Sequence, residues 1–226
     1  MTKDKDFSLA RQNMVSGQLR PLGIRDERIL EAMSLIPREQ FVPQTHKGVA
    51  YIDDNIKLLS NRFMLRPLIL AKLLEIAQIQ PTDKVLELGT ATGYSTRVLA
   101  ELSAHIVSIE SDVLLHQEAK KNLSETLKEK VILLAGASVE GCIDQAPFDI
   151  IFINGIIDFI PKFLFEQLKN KGHLVCIMRT HQYFPDQIFG QARVYRKTDE
   201  TIEWQDMFET TAPYMPSFKT EEHFQF

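Results

Sequence analysis

The chain has 226 residues, 44% apolar and 25% charged, which fits one globular α/β domain with a small N-terminal addition. Its formal net charge of −4, from 26 Lys plus Arg against 30 Asp plus Glu, argues against a nucleic-acid groove, which needs a basic patch. No apolar run approaches the ~18 residues of a transmembrane helix, and the charged start MTKDKDF is not a secretory signal, so a cytoplasmic protein with no membrane partner is expected.

The first 80 residues read as mainly helical. Phe7, Ala10 and Met14 fall at helical spacing until Pro21 and Gly23 break the pattern. A second helix carries Ile29, Met33 and Ile36 on one face, with Asp26 as its cap and Pro37 as its end. Residues 41–62 show little periodicity and read as a long connection. Pro67 suits the first turn of a third helix, LILAKLLEIA.

From residue 84 the texture changes. KVLEL, HIVSI, VILLA, DIIFI and HLVCI are short apolar runs bounded by turns, and the first four precede helix-compatible segments near 93–103, 112–128, 138–145 and 161–169. Alternating strands and helices predict a parallel sheet covered on both faces, which demands continuous apolar strands. ARVYRKT and IEWQDMFET then read as two strands pairing antiparallel through a turn near Asp199–Glu200. The expected fold is therefore a three-layer, doubly wound, mostly parallel sheet of about seven strands with N-terminal helices and one antiparallel strand near the end. The tail from residue 213 reads as irregular.

The strand KVLEL runs directly into Gly89-Thr90-Ala91-Thr92-Gly93, and a helix opens at Tyr94-Ser95. A glycine turn at the carboxyl end of a strand, beside a helix N-terminus, lets a ligand approach the backbone closely. A dinucleotide site wants glycines at 89, 91 and 94, where this chain has Gly89, Ala91 and Tyr94. The pattern is instead Glu87-x-Gly89-x-x-x-Gly93, and the next strand ends in Glu110, 23 residues after Glu87. An ionised carboxylate accepts well from a diol, and its charge favours a positive sulfonium over a pyrophosphate.

This pattern resembles the first motif of the class I S-adenosylmethionine-dependent methyltransferases. The resemblance implies that the turn from Gly89 to Gly93 cradles the methionine portion of S-adenosyl-L-methionine, with Glu87 close by. It implies that Glu110, followed by Ser111, accepts from the ribose hydroxyls. It implies that Ala137 and Ser138, after VILLA, stand beside the adenine. Asn154 and Gly155, at the end of DIIFI, are expected at the floor of the active site.

The blocks ILEAMSLIPREQFVP, AYIDDNIKL, VLELGTATGYSTRVLAEL, APFDIIFING and IPKFLFEQLKNKGHLV further resemble the protein-L-isoaspartate O-methyltransferases over about residues 11–178. That resemblance implies a protein-repair enzyme, which methylates the carboxylate of isoaspartyl residues in proteins or peptides. It also implies residues 1–66 as a helical region and connection packed on the core, 67–212 as the cofactor-binding core, and 213–226 as a tail.

One segment departs from the family. Its Thr-Ile-Ser-Gln-Pro motif, whose hydroxyl residues lie at the active site, is here Phe63-Met64-Leu65-Arg66-Pro67. Leu65 stands at the position of the catalytic-site serine, and the family's Gly-Asp-Gly after the third strand is Gly136-Ala137-Ser138. Arg62 and Arg66 flank the altered motif, and a guanidinium can grip a substrate carboxylate through two parallel bonds; the alternative is that both are surface residues. Two rival functions stay open: a methyltransferase of the same scaffold with another substrate, and a non-catalytic cofactor-binding homologue. A nicotinamide enzyme is disfavoured by the glycine spacing.

The remaining candidates carry less chemistry. Cys142 and Cys176 match no metal or redox spacing, and the six histidines show no ligand pattern, so no metal is expected. Ser95 reads as a helix cap, Trp204 as sheet packing, and Phe218, Phe224 and Phe226 as packing against the chain's own sheet.

Overall fold

A computed structural model describes residues 7–123, 127–180, 188–199 and 201–220. Helix α1 (Ser8–Met14) continues into one wider turn, Val15–Leu19. Helix α2 (Glu27–Leu35) starts at Asp26, whose carboxylate accepts from the Arg28 amide at 2.9 Å, as the sequence suggested. The connection that follows is less featureless than its composition implied. It contains a small hairpin, β1 (Ile56–Lys57) and β2 (Phe63–Met64), paired antiparallel. The hairpin turn holds Ser60 and Asn61 in the left-handed region.

Helix α3 (Pro67–Ala77) opens on Pro67, where the missing amide costs nothing, and stops at Gln78 in the left-handed conformation. Strands β3 (Lys84–Leu88), β4 (His105–Glu110) and β5 (Val131–Ala135) alternate with α4 (Tyr94–Leu102) and α5 (Val113–Asn122). Asp112 caps α5 by accepting from the Leu115 amide. Helix α5 ends at Asn122, short of the span expected from the sequence, and residues 124–126 lie outside the described ones. The weak segment at 138–145 forms two single turns, Ser138–Glu140 and Ile143–Gln145, rather than a helix.

Strand β6 (Phe148–Ile157), helix α6 (Lys162–Glu166) and strands β7 (Leu168–Arg179), β8 (Phe189–Lys197) and β9 (Ile202–Thr211) complete the chain. The seven-stranded sheet has the order β5-β4-β3-β6-β7-β8-β9. Neighbours are parallel from β5 to β7, while β8 is antiparallel to both β7 and β9. The turn between β8 and β9 is closed by the Thr198 amide donating to the Thr201 carbonyl at 2.8 Å, and Glu200 lies outside the described residues.

Both sheet faces are buried, but unequally. Val85, Ile106, Phe152 and Val175 pack with residues of α1 to α5. Leu86, Val107, Ile151 and Leu174 pack on the other face against Leu164 of α6 and against Met215 and Phe218 of the tail. The C-terminal segment thus replaces helices in the second layer, and Phe218 is fully buried, while Phe224 and Phe226 lie outside the described residues. Trp204 departs from its expected role: it is 56% exposed on β9, with the Arg193 guanidinium 3.9 Å above its ring. Strand β5 is the sheet edge and only half buried, which accounts for the partial exposure of VILLA.

Among the described residues, no helix is long and apolar enough to cross a membrane. Chain order and sheet order diverge after β5: β6 returns to the far side of β3. That reversal opens a crevice between the carboxyl ends of β3 and β6, the place where open α/β sheets bind ligands.

Candidate active site

The crevice is built from three short stretches that sequence spacing already singled out. Strand β3 ends at Leu88 and the chain turns through Gly89 (φ 93°), Ala91 (φ 52°) and Gly93 (φ 96°) before α4 begins. Left-handed backbone at alternate positions explains the glycines at both ends. The Gly89 amide donates to the Ile109 carbonyl at 2.9 Å, which ties the turn to the end of β4.

Glu87 is fully buried beneath the turn. Its carboxylate accepts from Ser95, from Thr96 at 2.5 Å, from Ser108 at 2.6 Å and from the Asn154 amide nitrogen at 2.6 Å. Ser108 is its register partner on β4, so the pairing brings that hydroxyl across. Burial pushes the Glu87 carboxyl above its ordinary range, against the pull of these four donors. Ser95 therefore does not cap α4, as its position suggested; Gly93 occupies the cap position without a side-chain bond, and the hydroxyl is drawn down to the buried acid.

Glu110, also fully buried, faces the same turn. Its Oε2 accepts from the Ala91 amide at 2.7 Å, and its Oε1 accepts from the Asp112 amide at 3.0 Å and from Arg62 Nη1 at 2.8 Å. Arg62 reaches it from the β1–β2 hairpin, whose Ser60 bonds Asp112 and, as the largest influence, holds that carboxyl below its ordinary range. Arg62 is thus neither a surface residue nor free to meet a substrate carboxylate.

The tail closes the crevice from the opposite side. The Met215 amide donates to the Ile156 carbonyl at 2.9 Å, and the Ile156 amide donates to the Pro213 carbonyl at 2.9 Å. This seats the Met215 side chain on Gly89: a Cβ at that glycine would lie 2.5 Å from Met215 Cε and 3.1 Å from Arg62 Nη2. The cavity left beside the turn is about 20 Å³, room for about one water molecule.

That cavity gathers Leu65, Gly89, Thr90, Ala91, Thr92 and Asn154 among the anticipated residues. Phe63 and Met64 of the altered motif line it too, with Leu70, Tyr94 and Ser95, for which the spacing carried no such signal. Arg66 turns away, donating to Thr210 Oγ1 at 3.2 Å and lying 3.8 Å from Asp53. Ala137 and Ser138 sit past the end of the edge strand β5, outside the cavity, and the Ser138 hydroxyl is buried without a partner. Ser111 lies near the rim, 3.4 Å from the Ser217 hydroxyl. Behind Leu65 stands a residue the sequence did not flag: Arg38, fully buried, donates to the Leu65 carbonyl at 2.7 Å and to the Ala50 carbonyl at 2.8 Å.

The donor set fits an adenosyl sulfonium ligand. Two carboxylates flank a turn open to backbone approach, and Glu110 accepts from the Ala91 amide on one oxygen and from Arg62 on the other. The face of Gly89 toward the tail is covered by Met215 and Arg62.

Residues 10–220 match the family described as protein-L-isoaspartate(D-aspartate) O-methyltransferase. The chain belongs to that family. Among its relatives, a protein-L-isoaspartate O-methyltransferase of Koribacter versatilis is 41% identical over 169 residues, covering 75% of this chain and 76% of the relative. One from Aliivibrio fischeri is 38% identical over 166 residues, covering 74% and 80%. A solved protein-L-isoaspartate O-methyltransferase superposes with a TM-score of 0.76 at 24% identity over 88% of this chain; the chain spans only 64% of that one. A Plasmodium falciparum structure assigned to the same enzyme class, solved in complex with S-adenosyl-L-homocysteine, superposes with a TM-score of 0.72 at 16% identity, covering 88% and 95%. Both share the fold. The family is S-adenosylmethionine-dependent, as the sequence resemblance implied.

Proposed function

We propose that this chain binds S-adenosylmethionine on the turn from Gly89 to Gly93 and transfers its methyl group to the carboxylate of isoaspartyl residues in proteins or peptides. The observation that carries the reading is the pair of buried acids around one left-handed glycine turn, Glu87 below it and Glu110 bonded to its Ala91 amide. Glu110 would accept from the ribose hydroxyls. Glu87, held by Ser95, Thr96, Ser108 and Asn154, fixes the floor of the turn. The sulfonium supplies an electrophilic methyl carbon and a good leaving group.

A carboxylate with an ordinary pKa near ~4 is already ionised at neutral pH, so the chain needs no general base. Its task is positioning, which alone supplies much of a transfer reaction's advantage. Leu65 and Phe63 make the substrate-side wall apolar where the family has hydroxyls. That observation favours a second reading, the same scaffold acting on a different nucleophile. A cytoplasmic location suits a protein that methylates intracellular substrates.

The deciding experiment offers radiolabelled S-adenosylmethionine with an isoaspartyl peptide and its aspartyl twin, beside calorimetry with S-adenosyl-L-homocysteine and NAD. Label in the isoaspartyl peptide alone supports the first reading. Cofactor binding without label in either peptide supports the second, and failure to bind the sulfonium or its product overturns both.

A further inference from the structure

The cofactor seat is filled by the chain's own side chains, and each filler carries the matching chemistry. Arg62 is buried, and its guanidinium donates to Glu110 Oε1 at 2.8 Å, giving the acid an N–H donor in place of an O–H donor of a ribose. Met215 is 1% exposed and lays a thioether and its terminal methyl on Gly89. The two touch each other, with Arg62 Nη2 3.4 Å from Met215 Sδ. A Cβ on Gly89 would meet Met215 Cε at 2.5 Å and Arg62 Nη2 at 3.1 Å, so the two side chains occupy the face of the turn that Gly89 leaves open.

The two fillers differ from their surroundings in how they are held. The tail backbone is fastened to β6 on both sides of Tyr214, and Asp158 accepts from the Tyr214 hydroxyl at 3.0 Å and the Thr220 amide at 2.7 Å. The Met215 side chain is held by one polar contact, the bond from Arg62 Nη2 to its sulfur at 3.4 Å. Three rotatable bonds let it leave Gly89 while the backbone bonds persist. Arg62 stands on the hairpin beside Ser60 and Asn61, and among the described residues its side chain bonds Glu110 and the Met215 sulfur.

We propose that Arg62 and Met215 are cofactor-site residues that compete with the methyl donor: Arg62 for Glu110 and Met215 for the face of Gly89. This rests on the reading of the turn as an S-adenosylmethionine site. The physical consequence is a lowered apparent affinity, because the ligand binds only the fraction of molecules in which both side chains have withdrawn. The pair sets affinity and selects ligands that can displace a guanidinium from a carboxylate, as a vicinal diol with a nearby cation can.

The test is calorimetric titration of the full chain with S-adenosyl-L-homocysteine, alongside Met215→Ala, Met215→Leu, Arg62→Gln and the Met215→Ala/Arg62→Gln pair. Thermal melts establish that each variant is folded. Self-competition predicts at least ~5-fold tighter binding by Met215→Ala, affinity within about twofold of the parent for the bulk-conserving Met215→Leu, and a gain for Arg62→Gln. The paired variant should gain less than the product of the two, because both changes vacate one seat. If Met215→Ala fails to fold, the Arg62→Gln result decides. A parent that binds, with single variants that bind equally or more weakly, overturns the competition and leaves the cofactor site standing. Absence of binding by the parent and every folded variant overturns the cofactor reading, and this proposal with it.

Discussion

Arg38 Nη2 lies 2.7 Å from the carbonyl oxygen of Leu65, so a fully buried guanidinium holds the Leu65 backbone at the cavity wall. The same group bonds the Ala50 carbonyl and stacks over the Tyr94 ring at 4.7 Å. One side chain therefore joins the turns after α2, the residue following β2 and the first residue of α4.

Replacing Arg38 with Met keeps much of the volume and leaves two buried carbonyls unpaired. With each unmade bond worth about 1–3 kcal/mol, a loss of roughly 2–5 kcal/mol is expected, measured by denaturant unfolding. Arg38→Lys restores the charge but only part of the fork. It should fold, retain S-adenosyl-L-homocysteine affinity within about threefold, and raise the peptide KM more than it lowers kcat.

Glu110→Gln is expected to fail twice. It removes one partner of the buried pair with Arg62, leaving an uncompensated cation, a change worth about 3–5 kcal/mol in stability. It also weakens the acceptor for the ribose, so calorimetry should show at least ~10-fold weaker S-adenosyl-L-homocysteine binding. Unchanged affinity in a folded variant would remove Glu110 from the site.

The buried Glu87 carboxyl sets a pH dependence whose sign follows from its raised pKa. A group protonated more readily in the folded than the unfolded state contributes stability below its unfolded pKa, and that stability is lost as pH rises through the folded value. Glu87→Gln removes this loss. The melting temperature of the variant relative to the parent should therefore be more favourable at pH 8 than at pH 4.5. Across the titration each pH unit contributes up to about 1.4 kcal/mol. A difference independent of pH would show that the four donors offset burial, and one of the opposite sign that they outweigh it.

Leu65→Ser restores a hydroxyl to the apolar wall. Leu65 is 4% exposed, so the substitution should cost about 2–4 kcal/mol in stability. If the rest of the site is intact, transfer to an isoaspartyl peptide should rise by about tenfold over the parent, with the aspartyl control unchanged. Equal rates for both proteins would place the substrate determinant elsewhere.

Arg66 provides the contrasting case. Its guanidinium is engaged by Thr210 and Asp53 and stands outside the cavity lining. Arg66→Ala is expected to leave peptide KM within about twofold of the parent, as measured by initial rates over a peptide series.

By itself, the sequence determined the strand order's raw material, the left-handed glycine turn, and the acids Glu87 and Glu110, because each depends on periodicity or short spacing along one stretch of chain. It also exposed the altered Phe63–Pro67 segment, since a changed residue type is visible without coordinates. Only the tertiary structure decided where Arg62, Arg38, Ser95 and Met215 go. Arg62 meets Glu110 from 48 residues away. Met215 reaches Gly89 from a tail with no periodicity at all. Ser95 looked like a helix cap because caps are local, but a buried carboxylate one turn below is the stronger acceptor once the sheet brings it near. Local patterns record which residues must be buried; which buried groups then face one another is settled by packing between distant segments, and that is where the cofactor site of this chain is opened or closed.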